Sequence, residues 1–320
     1  MNFKNKNDYW NFHPKLPVGF YPLFDWPPSP QKWLNFIWNY WLQKSDRTIF
    51  LLITFFTFFF LFPPIESMSK LSFYWISMVA LRNYIFIIFV AGGLHWWFFI
   101  RQGQGKEFQY DTRLRNKNSK IFTFNNQTYD NIFWTLVSGL PIWIFFEVFI
   151  LWSFASGKIN IFHFNDGWIW FCLWFPLLQV WQSFHFYCYH RILHIPFFYK
   201  ISHAVHHRNV NPGPWSGYSM HPIEHTLYIS SILIHFVIPS HPLHVLYHLY
   251  WLVLGTVSTH AGYEKIWIKN KNLLNVGSFF HHLHHRYFNC NYGNPEIPFD
   301  KWFKTYNDGT KEAMNKLLRN

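Results

Sequence analysis

The chain alternates long apolar stretches with polar, histidine-rich ones. Thr48–Phe62 is an unbroken apolar run that ends at Pro63-Pro64. Its fifteen residues fall short of the roughly 20 that a spanning helix needs, and extension back toward Trp41 or local bilayer thinning closes the gap. Leu71–Ile100, interrupted by Arg82-Asn83, predicts one long or broken helix returning across a membrane. Asn131–Phe154 is the clearest span, with Glu147 its one charge and Pro141 a kink; Trp168–Phe186 is a fourth. Thr226–Ile238 and Leu243–Ser258 are shorter and carry His235, His244 and His248. They predict a hairpin that dips into the membrane, turning at Pro239–Pro242, with full crossing as the alternative.

The charges follow this pattern. Connectors 63–70 and 155–167 are poor in Lys and Arg, whereas the N-terminal tail, the 101–130 connector and everything after Phe186 are rich in them. By the positive-inside rule both termini and all histidine clusters face the cytoplasm. The expected fold is therefore an all-α polytopic membrane protein. It has about four transmembrane helices, a short re-entrant or membrane-dipping hairpin, and a cytoplasmic, helical, His-rich cap. Three parts are expected: residues 1–130 (tail, first two membrane segments, basic connector), a catalytic domain over 131–306, and a tail over 307–320.

Composition narrows the class. Only 13% of residues are charged and 24% are aromatic, against about 25% charged in soluble domains. The net charge of +12 flanks apolar spans and forms no single patch, so it is topogenic and does not point to nucleic acid. Six prolines between 14 and 30 favour extended structure, and the neighbouring Trp and Tyr suit a membrane interface. Cys172, Cys188 and Cys290 lack CxxC spacing and imply no disulfide framework. No apolar stretch of signal-peptide type follows the first charges, so no cleavable signal is expected.

The histidines change the picture most. Of twenty, seventeen lie between residues 181 and 285, and imidazole is the commonest metal-binding side chain. His190 and His194 are four apart, on one face of a helix. His203, His206 and His207 repeat the pattern, as do His281, His284 and His285. Each element is expected to present its nitrogens toward one point. Eight are too many for one tetrahedral ion and suit two ions of higher coordination number. His282 faces away from its neighbours and is expected to support a ligand. His235, His244 and His248 are expected to be structural, as are His13, His95, His163, His185 and His241.

These elements resemble the histidine boxes of the fatty acid hydroxylase/sterol desaturase superfamily of membrane di-metal oxygenases. The resemblance rests on His190-x3-His194, His203-x2-His206-His207 and His281-x2-His284-His285. Tyr187-x2-His190-Arg191, His221-Pro-x-Glu224, His260-x-Gly262 and Asn291-Tyr-Gly293 agree with it. It covers residues 131–306. Three positions depart: Ser183 stands where the family often has an acid, Phe280 replaces the first histidine of the last box, and the end reads Phe299-Asp300-Lys-Trp-Phe303-Lys304-Thr305.

The resemblance implies two iron ions (Fe2+/Fe3+) and O2 as co-substrate, acting to hydroxylate or desaturate a lipid C–H bond. It implies His260 as a ninth ligand, with His221 and His225 as weaker candidates. Glu264 would be a ligand or a support; Glu224 would orient a ligand histidine or pair with Arg191 or Arg208. The lipid would come from the bilayer into an apolar cavity. Because the chain carries no flavin, haem or iron–sulfur motif, a separate electron donor is expected: cytochrome b5-like, a ferredoxin or an NAD(P)H reductase. The competing class is a membrane metal-binding or transport protein without redox chemistry. Transporters place ligands within spans beside acidic partners; here the boxes follow the fourth span among Arg191, Lys200 and Arg208.

Overall fold

Among the described residues, two apolar regions fold into helices long and apolar enough to cross a membrane, Phe73–Ile100 and Gln127–Ala155. The computed structural model describes residues 10–43 and 45–319, and these are mostly helical. Asn126 starts the second long helix by accepting hydrogen bonds from the Thr128 and Tyr129 amides. Polar residues fasten the two helices together. Arg82 pairs with Glu147, and Asn83 Nδ2 donates to the same carboxylate at 2.8 Å. The Arg82-Asn83 interruption and the lone acid of the next apolar region are thus partners.

Asp46–Phe56, capped by Ser45, continues through a wide turn over Thr57–Leu61. Its sixteen residues measure about 24 Å, less than the roughly 30 Å of a bilayer core. Trp168–Leu193 is one helix of 26 residues that passes through Pro176 and ends in the first histidine box.

The expected hairpin forms, but its second arm is the centre of the core. Every residue of Pro242–Tyr250 is buried, packed against Asp46–Phe56, Gln127–Ala155 and Trp168–Leu193. Its histidines are satisfied there. His244 Nε2–H donates to the Phe171 carbonyl at 2.9 Å while Nδ1 accepts from the His241 amide at 3.0 Å. His248 lies 3.1 Å from Ser231 Oγ and 3.2 Å from His235.

One element departs from the all-helical expectation. Lys265–Ile268 and Lys271–Asn275 pair as an antiparallel hairpin. The two turn residues, Lys269 and Asn270, take φ of 48° and 58°, the primed turn that matches strand twist. Lys-Asn is a weak version of the Asn-Gly signal.

The segments outside the helices are also built in. The proline-rich N-terminal stretch runs along the C-terminal part: the Val18 amide donates to Asp308 O at 2.9 Å and the Tyr21 amide to Pro295 O at 2.8 Å. The 101–130 connector clasps the box region. Asp111 accepts from Arg286 at 2.8 Å, Asp130 pairs with Arg208 at 2.7 Å, and Gln127 donates to Asn209 at 3.0 Å.

Candidate metal centre

The three boxes and His260 converge, and they converge on two points. His190, His194, His203, His207 and His284 form one group, and His206, His260, His281 and His285 form the other; within each group the nitrogens lie within 4.8 Å of one another. Nitrogens on opposite sides of an ion with bonds of about 2.1 Å stand about 4.2 Å apart, so each group has the dimensions of a metal site. Helix phase explains the split. Residues four apart share a face, whereas the third sits about 100° round from the fourth. His203 and His207 therefore serve one group and His206 the other; His281 and His285 serve one and His284 the other. The expectation that each box aims at a single point is corrected in this respect.

The outer nitrogens fix the tautomers. His190 Nδ1–H donates to the Tyr292 carbonyl at 2.6 Å, His284 Nδ1–H to the Cys290 carbonyl at 2.6 Å, and His260 Nδ1–H to Thr256 O at 2.8 Å. His203 Nδ1–H donates to Glu224 Oε1 at 2.8 Å. With Nδ1 carrying the proton, each Nε2 is a bare lone pair pointing inward. Yet His190 Nε2 and His203 Nε2, both with their outer nitrogens engaged, are 3.0 Å apart. Lone pairs at that separation repel unless a cation lies among them, and nitrogen donors of this kind suit divalent iron, zinc and their neighbours. The residues fit a metal pair.

Electrostatics act in the same sense. Burial, followed by the neighbouring imidazoles, pushes His203, His207, His281 and His285 well below the ordinary histidine range. Burial lowers His206 to about 4. The groups are therefore neutral at pH 7 and ready to bind a cation.

The loop after the last box holds this arrangement. Asp300 accepts from the Tyr292 and Gly293 amides at 2.9 and 2.8 Å. Asn291, at φ 52°, donates through Nδ2 to Phe280 O and Asn307 O. Carbonyls 290 and 292 are thereby presented to two box histidines. The Asn291-Tyr-Gly293 and Asp300 motifs thus have a physical task.

Other expected residues fall elsewhere. His225 is buried between Ser138 Oγ (3.0 Å) and the Tyr218 carbonyl (3.2 Å), and His221 caps the helix Pro222–Ile229; neither joins the two groups. Glu224 holds His203, while Arg208 pairs with Asp130 and Arg191 stacks on Tyr292 at 4.4 Å. Glu264 accepts from Tyr110 Oη at 2.5 Å and contributes no oxygen to either group. His282 packs against Trp10 and Tyr110. Ser183 Oγ reaches Glu296 at 3.2 Å, so a carboxylate arrives at this position from another part of the chain.

A cavity of about 700 Å³ opens beside the histidines. One wall holds His190, His203, His206, His260 and His281 with Phe186, Tyr189 and Tyr228. The lining also includes Tyr21, Tyr40, Asp46, Arg47 and Glu296, with Lys265, Asn272 and Asn275 of the strand hairpin. The apolar cavity that the resemblance implied is in fact mixed. Sequence reasoning missed the part of the lining contributed by residues 21–47 because they carry no motif.

Comparison with known proteins gives the same assignment. The fatty acid hydroxylase family matches residues 175–305. A Delta(7)-sterol 5(6)-desaturase of Gibberella zeae is 31% identical over 160 residues, 47% of this chain and 46% of that protein. One from Aspergillus fumigatus is 31% identical over 147 residues, covering 45% and 40%. The C-4 methylsterol oxidase of Schizosaccharomyces pombe is 32% identical over 143 residues, covering 42% and 45%. The matched region is thus under half the length of each of these relatives. No solved structure matches. All nine gathered histidines lie within the stretch that matches the fatty acid hydroxylase family and is similar to the sterol desaturases.

Proposed function

We propose that this protein is a membrane-bound, O2-dependent oxidoreductase that hydroxylates or desaturates a C–H bond of a sterol-like lipid. The observation that carries this reading is the pair of interleaved groups of five and four histidines, whose ring nitrogens lie within 4.8 Å of one another in each group. The names of the relatives, sterol desaturases and a methylsterol oxidase, support the substrate class. His190, His194, His203, His207 and His284 would hold one iron, and His206, His260, His281 and His285 the other. Two bound irons supply O2 activation and the oxidising power to break an unactivated C–H bond.

The chain's own residues set the conditions for that chemistry. Glu224 and the carbonyls of Cys290, Tyr292 and Thr256 keep the protons on Nδ1 and leave Nε2 free to bind. Phe186, Tyr189 and Tyr228 line the cavity beside the histidines and restrict water there. The electrons come from a separate donor: cytochrome b5-like, a ferredoxin or a reductase. Four spans with a membrane-dipping hairpin, a catalytic unit over 131–306 and a cytoplasmic histidine site complete the reading.

Metal analysis combined with reductant-driven O2 consumption and lipid profiling of cells with and without the protein tests it. Two irons per chain, O2 uptake and one altered sterol-like lipid are expected. At most one metal per chain at full activity, or metal binding without O2 uptake, would overturn it.

A further inference from the structure

The charged groups on the cavity wall are unequally committed. Arg47, 6% exposed, spends its guanidinium on Glu296 at 2.8 Å and on Gln179 at 2.8 Å, and lies over the Trp251 ring at 4.9 Å. Lys265 lies over Phe108 at 4.4 Å, and Glu264 is held by Tyr110. Glu224 is spoken for by His203. Lys15, at the N-terminal end of the lining, is exposed. Asp46 differs from these. It lines the cavity, is only partly buried, accepts a 3.2 Å hydrogen bond from Ser258 Oγ and interacts with the adjoining Arg47, while desolvation pushes its carboxyl above the ordinary range. Ser258 lies two residues before His260, so this carboxylate meets the segment that carries one of the four-histidine group.

A carboxylate in that place accepts hydrogen bonds and repels anions. Arg47, the cation that would receive a fatty-acid carboxylate or a phosphate, is neutralised by Glu296. We propose that Asp46 is the specificity-determining residue of the cavity: it receives the hydroxyl of an uncharged lipid alcohol and rejects anionic lipids. This rests on the function proposed above and narrows it. Among acyl chains, alkyl ethers, carotenoids and ring alcohols, the wall chemistry selects a lipid with a free hydroxyl. Asp46 lies outside the region that matches the family.

The test uses the purified full chain loaded with zinc, which occupies nitrogen sites without redox chemistry. The probes are a Δ7-sterol, its 3-O-methyl ether and its 3-sulfate, together with 1-octadecanol, its methyl ether and octadecanoate. Binding is read from quenching of tryptophan fluorescence. In at least one series the wild type should prefer the alcohol over the ether and the anion by roughly tenfold or more, the worth of one hydrogen bond to a charged group. Asp46→Leu should abolish the preference over the ether. Asp46→Asn, which keeps the shape and the Ser258 contact, should narrow the preference over the anion. A thermal melt of each variant verifies folding. Equal binding of alcohol and ether in both series, tighter binding of the anion, or an unchanged preference in Asp46→Leu would overturn the proposal. Zinc stoichiometry and O2 consumption of the iron form are measured separately. Failure of the redox reading thus shows in those two readouts, and failure of the Asp46 assignment shows in the binding ratios alone.

Discussion

Imidazoles that donate outward to fixed carbonyls have no proton to place between their inner nitrogens, so the two histidine groups are poised for cations. The consequence differs from residue to residue. His194→Ala and His284→Ala should weaken the ion of the five-membered group, and His206→Ala that of the four-membered group, with product formation at background in all three. His244→Ala and His248→Ala remove hydrogen bonds in the core and should keep both metals, losing about 0.5–3 kcal/mol of stability. Metal content and product per folded protein, measured on all five, decide this; His194→Ala with two irons and normal turnover would refute the grouping. A second residue-scale expectation concerns acid. Burial lowers His225 to about 3 from an ordinary 6.5. The unfolded chain therefore takes up a proton as pH falls through 6.5 while the folded protein does not. The stability involved is present above 6.5 and is lost progressively toward 3, by at most about 1.4 kcal/mol per pH unit. Melting temperatures of wild type and His225→Gln between pH 7.5 and 4.5 should diverge, with the variant flatter.

At the scale of elements, the long helices were legible and the reasons are physical. Leu71–Ile100 and Asn131–Phe154 are long and nearly free of charge, so their boundaries fell within a few residues of Phe73–Ile100 and Gln127–Ala155. The first box was placed on the extension of its helix for the same reason. Two features were not legible. Lys265–Asn275 alternates weakly, and its turn lacks glycine, so it left no strand signal. The division of the second and third boxes between two groups depends on a 100° rotation that spacing contains but that only the positions of partner helices reveal. Pairing between elements gives a further prediction. Arg82 and Glu147, with side chains 5% and 0% exposed, join the two spanning-length helices. Arg82→Met alone strands a buried carboxylate and should cost about 3–5 kcal/mol. The double replacement Arg82→Met with Glu147→Met should recover much of that loss in a detergent melt; equal loss in both would mean the pair is not coupled.

For the whole molecule, the asymmetry of Lys and Arg predicts that both ends of the chain lie on one side of the membrane. Cysteines introduced near Lys106 and near Asn289 should react with an impermeant thiol reagent from the same face of sealed vesicles. Opposite faces would refute an even number of crossings. The packing of the 101–130 connector onto the box region through Asp111–Arg286 and Asp130–Arg208 requires the same outcome.

Two stretches far apart in the chain contribute to the cavity lining. The lining histidines lie inside the stretch shared with sterol desaturases, and Tyr21, Tyr40, Asp46 and Arg47 lie far upstream of it. Changes in the first fifty residues can therefore retune which lipid is admitted while leaving the metal ligands untouched. Chimeras that exchange only this leading segment among relatives would transplant substrate choice without transplanting chemistry.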